Sequence, residues 1–395
     1  MQNEVSFTQI KAFAKTNWQD VLILSIGILF AFLLRYSLRN FQNDDYYYYT
    51  RPWYDFIREN GGIRALKYPF SNYTPPYLYL MVIAETLFSG LPKIFAIKLI
   101  SIIFDFIASF FVYRIVRLRY PQGKVPMIAA LSFLFLPTVF INSAFWGQAD
   151  VIYTTGLLAC VYFLLKERPL PALIAFGLAV SVKLQAIFLV PLLLILLLRK
   201  KLPWHGFLLI PGMYILLMIP AWIVGRPMQE LLTIYLAQGE TYHALAMNAP
   251  NLYTWLPNEM YNTVLPIGFI GAALVIGLFI FHVYRSTSPI HPNAIIQLAL
   301  ISTLIMPFFI PKMHDRYFYP SDVFSLIFGF YFPQWFIIPL MIQFVSLFSY
   351  FPFLFGNEVI PLQFLAIVEL FVIIYLIRLL IMEAAKIPLK TEAAN

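Results

Sequence analysis

Two neighbouring carboxylates, and three cations far from them in sequence, are the side chains of this protein best suited to acid–base chemistry on a phosphate-bearing substrate. Asp44 and Asp45 follow the first long apolar run, and a carboxylate can accept the proton of an attacking hydroxyl. Lys183, His314 and Arg316 can bind a phosphate or pyrophosphate, and arginine is the best of them for two parallel hydrogen bonds. The two carboxylates could instead hold a divalent metal, cap a helix or lie in solvent, and the sequence leaves these alternatives open.

Amides and an aromatic ring near these groups are suited to recognising hydroxyl groups and sugar rings. Gln148, Asn72 and Asn251 are neutral hydrogen-bonding side chains, and Trp146 offers a flat apolar face. Trp146 is equally typical of an anchor at the membrane surface. A base, phosphate-binding cations and hydroxyl-reading amides together indicate glycosyl transfer from a lipid phosphate.

The composition places these residues in a membrane protein. Of 395 residues, 61% are hydrophobic and only 12% are charged, and long apolar runs recur along the chain. This excludes a soluble enzyme and a disordered or fibrous protein. The single cysteine, Cys160, excludes an internal disulfide and a zinc site made of cysteines. The net charge of +8 is typical of basic cytoplasmic loops, and we do not interpret it as nucleic-acid binding.

The hydropathy pattern predicts an all-α bundle of about twelve transmembrane helices that forms a single domain over residues 1–395. A further apolar stretch, 77–91, is placed on or partly in the outer leaflet, because the short basic loops and both termini then fall on the cytoplasmic side. The first outer loop, 40–93, carries the candidate base and amphipathic surface helices. The predicted spans are 21–39, 94–118, 125–145, 150–166, 169–182, 186–199, 204–224, 263–284, 292–310, 316–332, 334–353 and 360–382.

Two of the predicted spans, 169–182 and 186–199, are too short to cross the membrane. Each has about 14 residues and reaches ~21 Å, against a hydrocarbon core of ~30 Å. They are expected to form a hairpin from the cytoplasmic side, with Lys183 and Gln185 at its tip. With this topology, six polar segments that are far apart in sequence share the outer face. These segments are 43–62, 72–77, 146–150, 183–185, 225–262 and 312–317.

One carboxylate lies within a predicted span. Asp105 is in the middle of 94–118, where an unpaired charge is costly in lipid. Its depth does not match that of the outer polar segments. We therefore expect a buried hydrogen-bonding partner and a structural role.

The order and spacing of the polar segments resemble those of the bacterial membrane glycosyltransferases related to GPI mannosyltransferase II, in the GT-C superfamily. The resemblance covers roughly residues 20–320, and the same layout is similar to that of glucosyltransferases that use dolichyl-phosphate glucose. The C-terminal spans, 334–395, match less clearly. The matching motifs are the Asp45 loop leading to Pro52-Trp53-Tyr54 and Gly61-Gly62, Asn72-Tyr73-Thr74-Pro75-Pro76-Tyr77, Trp146-Gly147-Gln148-Ala149-Asp150, Lys183 with Gln185, Asn248 to Leu252, and His314-Asp315-Arg316-Tyr317.

The resemblance implies an inverting transferase that uses a polyprenyl- or dolichyl-phosphate-linked sugar and acts on a glycan or glycolipid acceptor, with mannose favoured. It also implies a multi-pass protein of the bacterial cytoplasmic membrane with its active site on the outer face. Asp45 matches the position of the base, and Asp44 replaces a commoner small residue, which leaves open a shared role or a metal. Lys183, His314 and Arg316 match positions expected to face the donor phosphate. The residues expected at the sugar or the acceptor are Asn72, Tyr73, Trp146, Gln148, Asp150, Gln185 and Asn251.

Two other functional classes stay open: a transporter or flippase of lipid-linked saccharides, and a non-catalytic subunit of a glycan-assembly complex. Transporters usually contain repeats, with binding sites at the midplane made by broken helices. Here no repeat is visible and the polar segments collect on one face. A non-catalytic subunit would keep the helices and lose the base, whereas Asp45, Lys183 and Arg316 occur together in this chain.

Overall fold

In a computed structural model that describes residues 18–385, the chain forms an almost entirely helical bundle. Seven helices are long and apolar enough to cross a membrane, which is the pattern of a membrane-embedded protein. An eighth span results if the pair Val125–Leu134 and Pro137–Trp146, bent by 45°, is counted as one. Three further apolar helices, Asp150–Leu165, Pro169–Val182 and Leu184–Leu198, are shorter. The count of about twelve spans stays a prediction, and both termini lie outside the described residues.

Within residues 18–385, the helices follow one another in this order. The α-helices are α1 (Trp18–Leu38), α2 (Arg51–Glu59), α3 (Pro75–Leu87), α4 (Lys93–Arg119), α5 (Val125–Leu134), α6 (Pro137–Phe140), α7 (Asp150–Leu165), α8 (Pro169–Val182), α9 (Val190–Leu198), α10 (Leu209–Ile223), α11 (Met228–Gly239), α12 (Tyr261–Arg285), α13 (Pro292–Phe309), α14 (Tyr319–Tyr331), α15 (Ile337–Ser349), α16 (Phe351–Phe355) and α17 (Leu362–Ala385). Two π-helices (Tyr46–Thr50 and Ile141–Trp146) and seven 3₁₀ segments (Gly62–Lys67, Leu184–Leu189, Trp204–Leu208, Leu252–Trp255, Asn258–Met260, Asp315–Phe318 and Pro333–Trp335) complete them.

A short parallel β-pair joins two of the polar segments. β1 (Ala246–Met247) lies beside β2 (Met313–His314), with Ala246 opposite Met313 and Met247 opposite His314. The backbone N–H of Lys312 donates to the carbonyl of Leu245 at 2.8 Å and extends this pairing. The pairing fixes the backbone just before Arg316 against the segment that follows α11.

The helices of the first outer loop, α2 and α3, lie on the bundle and are too short to cross a membrane. α2 buries Trp53, Tyr54 and Ile57 and exposes Arg51 and Arg58, so it is amphipathic. α3 has 13 residues, which corresponds to ~20 Å against a hydrocarbon core of ~30 Å. Its length agrees with the expectation that the stretch 77–91 does not span the membrane.

The helical hairpin of α8 and α9 breaks at Lys183. That residue has an extended backbone, with φ −153° and ψ 134°, and a 3₁₀ turn follows it before α9 begins. The Thr74 hydroxyl donates to the backbone carbonyls of Ser181 (2.7 Å) and Val182 (3.0 Å), which have no partner further along the helix. The break therefore holds Lys183 at the hairpin tip and ties it to the first polar loop.

Close packing of α7 against α8 depends on a glycine. A Cβ placed on Gly156 would lie 2.8 Å from the Cβ of Ala179 and 3.1 Å from the carbonyl oxygen of Ala175. Small residues at such a contact allow two helix backbones to approach closely. The contact fixes the start of α7, at Asp150, relative to Lys183, which follows the end of α8.

Asp105 has the buried partner that its position within α4 requires. The Nε atom of Arg35, in α1, lies 2.6 Å from Asp105 Oδ2, and both side chains are fully buried. Ser143 donates its hydroxyl to the same oxygen at 2.5 Å, and Arg35 also donates to the carbonyl of Leu134 at 2.9 Å. The pair joins α1, α4 and the Ile141–Trp146 helix and has no contact with the cleft described below.

Candidate functional site

A cleft at one end of the bundle receives residues from all six polar segments. It has about 800 Å³ of empty space, counted to its open mouth. Eight predicted site residues line it: Asp45, Asn72, Tyr73, Gln148, Lys183, Gln185, His314 and Arg316. The remaining lining residues are Tyr49, Thr50, Trp53, Tyr77, Gly147, Ala149, Val182, Gln238, Thr241, Tyr242 and Tyr317.

Asp45 is oriented through one of its two oxygens. Its Oδ2 atom accepts a hydrogen bond from the indole N–H of Trp146 at 2.8 Å and another from the amide of Gln148 at 2.6 Å. Within residues 18–385, Oδ1 accepts no hydrogen bond. The carboxylate is therefore fixed in direction while one oxygen stays available to a ligand in the cleft.

The loop that supplies both donors is held by its own backbone. The carbonyl of Asn142 accepts hydrogen bonds from the N–H groups of Gly147 (3.0 Å) and Gln148 (2.9 Å). Gly147 has φ +87°, a left-handed conformation that favours glycine. Asn43, near Asp45 in sequence, donates its amide to the carbonyl of Trp146 at 2.8 Å. These bonds hold Trp146 and Asp45 in register.

Lys98 and Ser101, in α4, donate hydrogen bonds to backbone carbonyls in and beside the same loop. The Lys98 ammonium donates to the carbonyls of Phe41 and Phe145, each at 2.7 Å, and its stem lies 3.3 Å from a Cβ built on Gly147. Ser101 donates its hydroxyl to the carbonyl of Gln148 at 2.6 Å. Lys98 therefore acts on the geometry of the site from outside the cleft.

The Lys183 side chain is almost fully buried and has one negatively charged partner. Its ammonium forms an ion pair with Asp150, whose side chain is fully buried and lies behind the cleft wall. Asn142 donates its amide to the other Asp150 oxygen at 3.0 Å. Three aromatic rings, each with its centroid 5.8 Å from the ammonium, belong to Tyr73, Tyr153 and Tyr317. Asp150 thus holds Lys183 in place and does not itself face the cleft.

Arg316 is the cleft cation with the fewest partners. Its Nε is buried and has no hydrogen-bond partner within residues 18–385. The nearest carboxylate contact, from Nη1 to Asp315 Oδ1, is 3.9 Å, which is beyond hydrogen-bonding distance. The guanidinium carbon lies 5.5 Å from the centre of the Trp146 ring. The fork of N–H donors is therefore available to an anion.

His314 contributes a hydrogen-bonding group without a charge. Burial lowers the pKa of His314 well below 6.5, and the nearby positive charges of Arg316 and Lys183 lower it further. Its ring packs edge-on against Tyr242 (5.2 Å) and Tyr317 (5.1 Å). His314 is expected from the sequence to be a cation, whereas this environment favours the neutral imidazole at pH 7.

Two amide oxygens of the cleft are buried and unpaired. Asn72 Oδ1 and Gln185 Oε1 have no hydrogen-bond partner within the described residues, and both side chains line the cleft. The Asn72 backbone carbonyl is held by the side-chain amide of Gln238, from α11. Buried amide oxygens are usually paired, so these two are suited to donors on a ligand, such as hydroxyl groups.

Four predicted site residues do not line the cleft: Asp150, which lies behind its wall, and three others whose side chains have different environments. Asp44 is exposed, and its carboxylate is not part of the cleft wall, unlike that of Asp45. Asn251 is buried and caps a 3₁₀ turn, accepting from the N–H of Tyr253 at 3.0 Å and donating to the Pro307 carbonyl at 3.3 Å. Trp146 is only 2% exposed and lies behind Asp45. Over residues 18–385 there is no group of three or more His, Cys, Asp or Glu residues placed to hold a metal.

An aromatic wall of the cleft and an aromatic layer behind Trp146, here called the cover of Trp146, are features that sequence reasoning does not single out. Tyr49 and Tyr242 line the cleft, and their hydroxyls are 2.9 Å apart. Phe353, in α16, stacks on the Trp146 ring with centroids 4.8 Å apart and planes inclined by 20°. Tyr350 meets the same ring edge-on at 5.3 Å. The tyrosine run 46–49 is a sequence signal for the wall, but nothing local points to the cover.

The cleft thus combines an oriented carboxylate, an unpaired guanidinium, a buried ammonium and two unpaired amide oxygens. The chain matches no protein-family model, and a search of curated proteins finds no match to it. The residues of the cleft are therefore the basis on which a function can be proposed.

Proposed function

We propose that this protein is an integral-membrane glycosyltransferase that transfers a hexose from a polyprenyl- or dolichyl-phosphate-linked donor to a hydroxyl group of a glycan or glycolipid. The observation that carries the proposal is Asp45, oriented by Trp146 and Gln148 and facing a cleft that also contains Arg316 and Lys183. A base and an anion-binding pair in one cleft are what such a transfer needs. Mannose is the favoured sugar on the strength of the resemblance.

Asp45 acts as the base toward the acceptor hydroxyl. Two hydrogen bonds to Oδ2 restrain the carboxylate, so Oδ1 can receive the proton of the attacking hydroxyl. A base fixed in this way loses little rotational freedom in the transition state. Asp44 is exposed and outside the cleft, so it takes no part in the proton transfer.

Arg316, Lys183 and His314 bind the donor phosphate, which is the leaving group. The unpaired guanidinium of Arg316 can donate two parallel hydrogen bonds to phosphate oxygens. Lys183 adds a positive charge that Asp150 keeps in place, and neutral His314 adds one N–H donor. These groups stabilise the negative charge that grows on the phosphate as the glycosidic bond breaks.

The sugar is recognised by hydroxyl contacts and aromatic faces. Asn72 and Gln185 offer unpaired amide oxygens to sugar hydroxyls. Trp53 and Tyr73, with ring centres 5.3 Å apart, line the cleft beside them. A site whose buried acceptors must be paired strongly disfavours a ligand that lacks the matching hydroxyls.

The membrane setting fits a lipid-linked donor. A polyprenyl phosphate keeps its chain in the bilayer and its phosphate at the surface, so the cleft is expected at the outer interface of a bacterial cytoplasmic membrane. The apolar helices of the bundle support an integral-membrane location. The helices of the α8–α9 hairpin have only 14 and 9 residues, and we expect the lipid chain to lie beside the hairpin tip at Lys183.

A transfer assay with a matched pair of variants tests the proposal. Purified protein is incubated with radiolabelled polyprenyl-phosphate mannose or polyprenyl-phosphate glucose and a lipid extract as acceptor. Asp45→Asn keeps the shape but removes the base, so transfer is expected to fall by ~10²–10⁴-fold with donor binding retained. Asp44→Asn, at the exposed neighbour, is expected to keep wild-type turnover. Near-normal transfer by Asp45→Asn would overturn the base assignment, and no consumption of either donor by the wild type would overturn the proposed donor class.

A further inference from the structure

A second cavity lies at the other end of the helices that carry the cleft. α7 begins at Asp150, behind the cleft, and ends at Leu165, which lines this cavity. The 16 residues of α7 separate the two sites by ~24 Å. The cavity is open to the surface, and its empty space of about 1050 Å³ includes solvent at its mouth. Its lining residues are Leu118, Arg119, Leu165, Lys166, Glu167, His291, Pro292, Asn293 and Tyr331.

The charged residues of this cavity do not neutralise one another. Arg119, Lys166 and Glu167 are all exposed, and none of them belongs to an ion pair within residues 18–385. By contrast, Lys124 at the next loop pairs with Asp20 at 2.8 Å. Two free cations and one free carboxylate in one cavity can bind a ligand that carries both signs of charge.

Glu167 is a residue that stability alone does not explain. It follows the end of α7 with φ +55°, a left-handed conformation in which glycine is preferred. The backbone bonds Glu167 N–H to Leu164 (3.0 Å) and Arg168 N–H to Phe163 (2.9 Å) show the ordinary helix-ending turn for that glycine. A carboxylate is also disfavoured at a helix C-terminus, where the helix dipole is negative. Lys200 takes the same left-handed turn at the end of α9 (φ +56°), so the backbone conformation does not distinguish Glu167. The negative charge at a helix C-terminus does, and a ligand ammonium would offset it.

The opposite wall of the cavity offers donors to an anion. α13 begins at Pro292, and no side chain caps its first turn, so the N–H groups of Asn293 and Ala294 have no partner within the helix. The Nδ1 atom of His291 is buried and has no hydrogen-bond partner within the described residues. An uncapped helix N-terminus beside Arg119 and Lys166 favours a phosphate group.

We propose that this cavity binds the headgroup of a phospholipid that carries a primary ammonium group. The phosphodiester lies between Arg119, Lys166 and the start of α13, and the ammonium donates hydrogen bonds to Glu167. Leu118, Leu165 and Pro292 contact the glycerol and the first methylene groups. With the cleft on the outer face, this site lies at the cytoplasmic leaflet, where basic pockets between helices bind lipid headgroups.

Glu167 makes the headgroup assignment specific. A headgroup without an amine leaves the Glu167 carboxylate unpaired beside the phosphodiester, and like charges repel. A trimethylated ammonium carries the charge but has no N–H to donate. The order of affinity is therefore phosphatidylethanolamine above both phosphatidylglycerol and phosphatidylcholine.

The test is lipid retention by the intact purified protein, measured by native mass spectrometry with the three lipids at equal acyl chains. The wild type is expected to retain phosphatidylethanolamine at least threefold more than either competitor. Glu167→Gln is expected to remove that preference, and Lys166→Gln to lower retention of all three lipids. Lys200→Gln, at an exposed cytoplasmic-side lysine outside the cavity, is the matched control and is expected to behave as wild type.

A second variant separates binding from folding. Glu167→Gly relieves the left-handed backbone, so it is expected to raise the Tm without added lipid while losing the phosphatidylethanolamine preference. Equal retention of phosphatidylglycerol or phosphatidylcholine by the wild type, or an unchanged preference in both Glu167 variants, would overturn the proposal. Stabilisation by inorganic phosphate alone, equal to that by the lipid, would also overturn it in favour of a free anion.

Discussion

The indole N–H of Trp146 donates a 2.8 Å hydrogen bond to Asp45, 101 residues earlier in the chain. The bond orients the candidate base from behind, because Trp146 is only 2% exposed and does not line the cleft. Gln148 makes the second bond to the same oxygen from the cleft side. The carboxylate is thus held between a buried ring and a ligand-facing amide, which leaves its other oxygen toward the cleft.

Trp146→Phe should show what the hydrogen bond to Asp45 contributes to catalysis apart from the packing of the ring. The variant keeps an aromatic side chain against Phe353 but removes the donor to Asp45. A hydrogen bond to a charged group contributes ~1.5–3 kcal/mol, so we expect kcat to fall by ~10–100-fold with little change in KM for the donor lipid. Steady-state kinetics measure both constants. The control is Trp255→Phe, an exposed tryptophan outside the cleft, and an unchanged kcat in Trp146→Phe would contradict the positioning role.

Phe353→Leu should weaken catalysis from a part of the chain that the resemblance does not cover. Phe353 stacks on Trp146, and its loss leaves the indole free to tilt away from Asp45. An aromatic pair contributes ~0.5–1.5 kcal/mol, so kcat is expected to fall several-fold. Phe353→Tyr keeps the stacking and should restore turnover. Phe371→Leu, at an exposed apolar position of α17, is the matched control, and equal losses in both Leu variants would indicate a general effect of packing.

Replacing Lys183 and Asp150 together should restore the stability that is lost when Lys183 alone is replaced, but it should not restore transfer activity. Lys183→Met leaves a fully buried carboxylate without its counter-charge, and breaking a buried pair typically costs ~3–5 kcal/mol of the free energy of unfolding. Replacing both residues, with Lys183→Met and Asp150→Leu, should recover most of that loss. Transfer should stay low in the double variant because the phosphate loses a cation. Thermal unfolding and the transfer assay give the two readouts, and recovery of transfer in the double variant would contradict the phosphate role of Lys183.

Asp315 should make stability depend on pH in a direction opposite to that of an ordinary ion-paired carboxylate. Burial raises the pKa of Asp315 from 3.8 to about 7, although Arg316 opposes the shift. The folded protein then binds more protons than the unfolded chain between these values, so the free energy of unfolding falls as the pH rises through that window. Asp315→Asn removes this titration, and its slope should differ from that of the wild type by up to about 1.4 kcal/mol per pH unit. Unfolding midpoints measured at several pH values test this, and parallel slopes for the two proteins would contradict it.

Much of what the sequence determines about this protein follows from local patterns. Apolar runs and the low charge content determine a helical membrane protein, because backbone groups in lipid must be hydrogen-bonded within the helix. The length of the runs around Lys183 also determines a hairpin whose two helices are short. The six polar segments were recognisable because each interrupts an apolar stretch, and residues from all six meet in the cleft. The expectation of a buried partner for Asp105 is likewise confirmed, and the partner is Arg35.

Only the tertiary structure decided which of these polar residues face the cleft. Asp44 and Asp45 are adjacent in sequence, yet only Asp45 meets the donors of Trp146 and Gln148. Asn251 looks like a hydroxyl-reading amide in sequence but uses its hydrogen-bonding groups in a local cap. Such outcomes depend on the direction of each side chain, which is set for Asp45 by contacts with residues more than a hundred positions away and for Asn251 by contacts with Tyr253 and Pro307. Residue type determines what chemistry a side chain can do, whereas packing determines which partner it meets.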